Sequence, residues 1–151
     1  MARKALCVRA THGLKYNLGF QYFVTFIDDY SICTWLFLMK NRSELFSIFQ
    51  SFFNEIKNQF SVSIRILRSD NACEYLSQSF TTFMKFHGIL QQTSSAYTPQ
   101  QNGIVECKNR HLIKTTRTFL IHGGVSQCFW GDAILSACYL INRMSSSIFR
   151  K

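Results

Sequence analysis

At 151 residues, with 47% hydrophobic residues and a mean hydropathy of 0.00, the chain is sized for one folded domain with a real core, which excludes a disordered polypeptide. No uncharged run approaches the roughly 20 apolar residues of a bilayer crossing, and residues 1–10 are basic with no sustained apolar stretch behind them. No membrane partner or secretory leader is therefore predicted, and a nuclear or cytoplasmic protein is the expectation. Seventeen Lys and Arg against eight Asp and Glu give a net charge of +9, which suits polyanions such as nucleic acid, or acidic membrane surfaces, and equally a solubilising surface.

In chain order, residues 22–28 (YFVTFID) and 34–39 (TWLFLM) are aromatic and β-branched, with Asp28-Asp29-Tyr30-Ser31 between them as turn residues. That pattern predicts a β-hairpin. Asn41 followed by Glu44 resembles a helix N-cap with its capping box. Leu45, Ile48, Phe49, Phe52, Phe53 and Ile56 then recur at helical spacing, through about Asn58. A short strand is predicted over 63–67, a helix over 78–86 and a strand over 89–93. Residues 94–103 are polar, contain Pro99 and read as a loop. A helix runs from about Asn102 to His122, where Gly123-Gly124 ends it, and a last helix covers about 129–144. Strands and helices in this order make an α/β domain, a mixed sheet flanked by helices.

The six cysteines form no C-x-x-C pair, so all six are read as free, reduced thiols. Cys107 and His111, four apart on a predicted helix, make half a metal site at most. The acids carry more. Asp70 follows a predicted strand, where α/β proteins commonly build sites. Glu106 lies in the first turns of the long helix, with 35 residues between it and Asp70.

Their surroundings are specific: Tyr22-Phe23-Val24-Thr25-Phe26-Ile27-Asp28-Asp29-Tyr30-Ser31, Thr34-Trp35, Ser69-Asp70-Asn71, Glu74-Tyr75, His87-Gly88-Ile89, Tyr97-Thr98-Pro99-Gln100-Gln101-Asn102-Gly103, Glu106, Asn109-Arg110, Phe129-Trp130 and Asn142-Arg143. In this order and spacing they resemble the integrase catalytic core of Copia-type LTR retrotransposons, retroviral integrase-like members of the polynucleotidyl transferases. The resemblance implies a ribonuclease H-like fold, DNA as partner, self-association and phosphoryl transfer with Mg²⁺ or Mn²⁺. Family enzymes hold two such ions on an Asp-Asp-Glu triad, whose last two members carry over to Asp70 and Glu106 as catalytic and metal-binding residues. Hard cations prefer such carboxylate oxygens. Lys108, Arg110, Lys114 and Arg117 beside Glu106 suit phosphate contacts, and equally a solvated helix face.

The chain departs from the family where its chemistry begins. The first triad Asp would end the first strand, yet no acid precedes Asp28. Asp28 and Asp29 match the hairpin turn and are not promoted to the triad. The resemblance thus implies a first central strand truncated or replaced, with Met1 beginning after or in place of that segment; the family's zinc-binding His-His-Cys-Cys module is not seen either. Residues 1–18 read as a remnant N-terminal segment, 19–145 as the core and 146–151 as a tail. Residues 4–10 (KALCVRA) are expected either to occupy the central position imperfectly or to leave the sheet incomplete. Cys107 stands where the family has Arg, and Ser126 and Ser145 where its close members have Pro. Each change fits one C-to-T transition, so a copy eroded by cytosine deamination is the hypothesis; related genomic copies without that bias would sink it. Three functions follow: a catalytically inactive integrase-core relic, the preferred reading; a noncatalytic nucleic-acid-binding module; or an active nuclease that recruits Asp28 or Asp29.

Overall fold

The two aromatic, β-branched runs pair as expected in the computed structural model, which describes residues 4–12, 19–69, 75, 77–93 and 103–144. Tyr22–Asp28 is β2 and Thr34–Met39 is β3; they run antiparallel with Phe26 opposite Trp35. Asp28 organises the turn, its Oδ2 accepting from the backbone N of Ser31 at 3.0 Å and from the Ser31 hydroxyl at 2.7 Å. A short acid bonded to the backbone ahead of it is a turn device.

The strand least evident from composition is the middle one. Lys4–His12 forms β1 in the sheet order β3-β2-β1-β4-β5, where β4 is Ile64–Ser69 and β5 is Leu90–Thr93. β1 runs antiparallel to β2, from Leu6 opposite Asp28 to His12 opposite Tyr22. It runs parallel to β4, ending at Val8 opposite Ser69. Of the two states expected for this segment, the first is found: it occupies the central position, and its imperfection is a register shift between Lys4 and Ala5. Both neighbours would otherwise present unpaired backbone groups.

Helices cover both faces. On one lie α1, Leu45–Phe60, and α2, Gln78–His87. Ser77 caps α2 by accepting from the Phe80 backbone N, and Gly88, at φ 65°, ends it. The expected capping box at α1 is altered. Asn41 has the extended backbone of a cap but makes no side-chain cap bond, and Glu44 accepts from the backbone N of Lys40 instead. A 3₁₀ turn, Arg42–Glu44, precedes α1; its tighter winding shifts the reach of Glu44 by one residue. α1 also runs two residues past the expected Asn58, closing at Ser61 with a left-handed φ of 52°. On the other face lie α3, Gly103–His122, and α4, Trp130–Arg143, joined through a 3₁₀ turn at Gln127–Phe129. Ser126, where the resemblance leads to Pro, sits at φ −57°, within proline's range, and caps that turn by accepting from the Cys128 N. No described helix is long and apolar enough to cross a membrane.

The period-2 alternation of β2 divides the interior. Val24 and Phe26 join Phe49, Phe52, Phe80 and Met84 under α1 and α2, with Phe26 stacked on Phe52 at 4.5 Å between centroids. Phe23 packs instead with Leu120, Trp130 and Ile134, and Ile27 with Val105, under α3 and α4. Between Phe23 and Ile27 the same face presents a polar residue, Thr25.

Candidate functional site

Two contacts fix α3 on the sheet. Val105 packs on Ile27 and Ile32, seating the helix start on the hairpin turn. One turn later Asn109, only 4% exposed, accepts through Oδ1 from the hydroxyl of fully buried Thr25 at 3.0 Å. With the helix so seated, positions 106, 110, 113, 114 and 117 share a face. Glu106, Arg110, Ile113, Lys114 and Arg117 line a groove of about 440 Å³ together with Asn109 and with Thr11 of β1. Asn109 Nδ2 and Thr11 Oγ1 are buried without a protein partner.

Four of the residues expected at the site, Glu106, Arg110, Lys114 and Arg117, are therefore brought together. Lys108 is not. Two residues from both Glu106 and Arg110, it turns some 200° away on the helix and lies instead within electrostatic reach of Cys138 on α4. Burial pushes that thiol from its ordinary 9.0 up to about 11, with Cys33 adding to the rise and Lys108 opposing it.

Asp70 lies outside the described residues, as do residues 94–102 of the expected loop, so the approach of Asp70 to Glu106 does too. The last pair between β1 and β4 is Val8 with Ser69, after which the sequence continues to Arg9 and to Asp70. Arg9 is paired with Thr25 in the register of β1 and β2. No residue of β1 (KALCVRATH) is acidic.

The hairpin acids have structural partners. Asp28 holds Ser31, and Asp29 binds Arg68 Nη1 at 2.7 Å, while Arg68 Nε donates to Gln92 at 3.0 Å. Among the described residues no three His, Cys, Asp or Glu come together as metal ligands, and Cys107 and His111 find no further ligand. Among the described lining residues Glu106 is the one carboxylate, beside three cations, and Asp70, the ligand the resemblance pairs with it, lies outside the described residues. None of the described thiols of Cys33, Cys107, Cys128 and Cys138 forms a disulfide; Cys73 and the side chain of Cys7 lie outside the described residues.

Sequence reasoning quoted Asn109 and Asn142 within motifs and assigned them no role. Asn142 accepts from the backbone N of Thr34 at 3.0 Å and donates to its carbonyl at 2.6 Å, closing the free edge of β3 with an amide. The available signal for Asn109 was its place in the buried stripe of Val105, Leu112, Thr116 and Leu120.

Residues 4–99 match the family model described as integrase core domain. The chain is 39% identical over 128 residues to the retrovirus-related Pol polyprotein from transposon TNT 1-94 of Nicotiana tabacum, across 85% of the chain and 10% of that protein. It is 34% identical over 132 residues to the Pol polyprotein from transposon RE1 of Arabidopsis thaliana, across 87% of the chain and 9% of that protein. The chain thus spans about a tenth of the curated relatives it matches. Its fold is similar to the catalytic core domain of BIV integrase, at a TM-score of 0.71 and 18% identity, covering 97% of this chain and 88% of that one. It is also similar to a chain of the simian T-cell lymphotropic virus intasome solved with the PP2A regulatory subunit B56 gamma, at a TM-score of 0.75 and 20% identity, covering 96% and 50%. These likenesses show the ribonuclease H-like architecture. With the family match running from the first residue of β1 past the end of β5, the chain belongs to the integrase core domain family.

Proposed function

We propose that this chain is an integrase-type core that binds DNA through the groove between β1 and α3 and does not carry out strand transfer. One observation carries the reading: Arg110, Lys114 and Arg117 align on the helix face opposite β1, a strand without a carboxylate. Guanidinium and ammonium groups at helical spacing can meet successive phosphates. The resemblance assigns metal ligation to Asp70 and Glu106, and the first strand, which should supply the remaining acid, carries none. Without that acid Mg²⁺ or Mn²⁺ is held weakly and the chemistry it would support is lost. The reading also includes self-association, supported by the exposed apolar residues Leu135, Tyr139, Leu140 and Met144 of α4 and the residue after it, and checked by sedimentation.

The test is binding and cleavage of one labelled duplex by the purified chain. Three phosphate contacts give a slope of roughly −3 for log affinity against log salt. Neither nicking nor joining is expected with Mg²⁺ or Mn²⁺. Salt-independent binding would return the three cations to a solvated face, and metal-dependent cleavage would restore the active-nuclease reading.

A further inference from the structure

We infer that Cys33, just ahead of β3, and Cys138 on α4 are a thiol pair that peroxide converts into an internal disulfide. The inference stands apart from the DNA-binding reading, because neither residue lines the groove between β1 and α3.

The fold holds both residues in place. The Cys138 thiol donates to the Thr34 carbonyl at 3.4 Å, and Thr34 is the residue that follows Cys33 in the chain. Asn142, one turn further along α4, donates through Nδ2 to the same carbonyl at 2.6 Å and to the Cys138 sulfur at 3.9 Å. The backbone of Cys33 is pinned as well. Its N–H donates to Ser31 Oγ at 3.3 Å, and its carbonyl accepts from the Asp28 N–H at 3.0 Å. The two thiols also feel each other: after burial, it is Cys33 that raises the Cys138 thiol toward about 11. The other described thiols are engaged elsewhere. Cys107 is exposed on α3, and the Cys128 thiol turns to the Ser126 hydroxyl at 3.1 Å.

Exposure divides the chemistry between the pair. Cys33 is half-buried and within reach of a small oxidant, whereas Cys138 is buried. The thiolate is the nucleophile, so the Cys33 thiolate attacks one peroxide oxygen. The O–O bond breaks, the departing hydroxide takes a proton and leaves as water, and Cys33 carries a sulfenic acid. The Cys138 sulfur then attacks the Cys33 sulfur. As the S–S bond forms, the S–O bond breaks, and the hydroxyl leaves with the Cys138 proton as water. Two thiols and one peroxide become one disulfide and two waters. Lys108 of α3 opposes the rise at Cys138 and so favours the thiolate that this second step uses. The bond ties the start of β3 to α4 and closes most of the chain into one loop, the kind of cross-link that most restricts an unfolded chain.

The experiment treats the whole folded chain with hydrogen peroxide, removes the oxidant, and unfolds the protein in N-ethylmaleimide so that every remaining thiol is blocked. Mass spectrometry of the digest then reads the linkages. A peptide pair joined through Cys33 and Cys138 is expected, lighter by the hydrogens lost, and dithiothreitol should separate it. Oxidation should raise Tm by roughly 5–15 °C, and reduction should reverse the rise. Cys33→Ser, at a half-buried position that tolerates a hydroxyl, should fold as the parent does and lose both the linkage and the rise. Cys107→Ser should keep both. Blocked thiols at Cys33 and Cys138 after peroxide treatment overturn the inference, as does a Cys33 that stops at an oxyacid. Linkage of either residue to a different cysteine, or a Cys33–Cys138 linkage that forms only after the chain has been unfolded, overturns it equally.

Discussion

Replacing Thr25 by valine removes one oxygen and keeps the shape of a fully buried side chain. The lost hydroxyl is the donor in the 3.0 Å bond to Asn109 Oδ1, and the asparagine already has an unpartnered Nδ2. Both ends of a side-chain amide that is 4% exposed would then be unsatisfied. The lost bond and the stranded carbonyl together cost about 2 kcal/mol, which in a domain of this length lowers Tm by roughly 4–8 °C. Removing both partners should behave differently. In Thr25→Val with Asn109→Leu no polar atom of the pair remains, so most of the loss should be recovered. Equilibrium unfolding in urea can be followed by the fluorescence of the two tryptophans, Trp35 and Trp130, the latter packed on Phe23 of the same strand. A Thr25→Val protein as stable as the parent, or a double variant no better than Thr25→Val, would refute the reasoning.

Ser61 ends α1 in the left-handed region at φ 52° with its side chain exposed, so Ser61→Gly should gain about 1 kcal/mol; an unchanged or lower Tm counts against a strained cap. Asn142→Ala removes both bonds to Thr34 at the edge of β3 and should cost about 1–2 kcal/mol, with the Thr34 amide showing the largest rise in hydrogen exchange; if that amide exchanges as before, the clamp does not act. Burial raises the Cys138 thiol from 9.0 to about 11, so its contribution to stability is fully present below pH 9 and is lost as pH rises toward 11. At pH 8 exposed Cys107 should be alkylated while Cys138 stays intact, and alkylated Cys138 in the native protein would contradict this.

The hairpin was legible from two aromatic, β-branched runs with turn residues between them, and α1 from apolar residues at every third or fourth position in Leu45–Phe60. β1 was not legible in that way. KALCVRATH carries Lys4, Arg9 and His12, and its central place comes from the two strands that would lack a partner without it. The groove was half legible. Arg110, Lys114 and Arg117 obey helical geometry, whereas grouping Lys108 with them rested on nearness in sequence, and a two-residue step on a helix points nearly the opposite way. The structural roles of Asn109 and Asn142 depend on Thr25 and Thr34, 84 and 108 residues away, and no local pattern contains that.

The two faces of the sheet separate folding from chemistry. Phe26, Phe49, Phe52, Phe53 and Phe80 are each at most 3% exposed in one cluster with α1 and α2, and burying one such ring is worth about 1.5–3 kcal/mol. The groove residues lie on the other face and make no part of that cluster. Substitutions in the groove therefore leave the largest source of stability intact. It follows that cooperative unfolding says nothing about activity in this chain. Only measurements that act at the groove, duplex affinity against salt and metal-dependent cleavage, test the proposed reading.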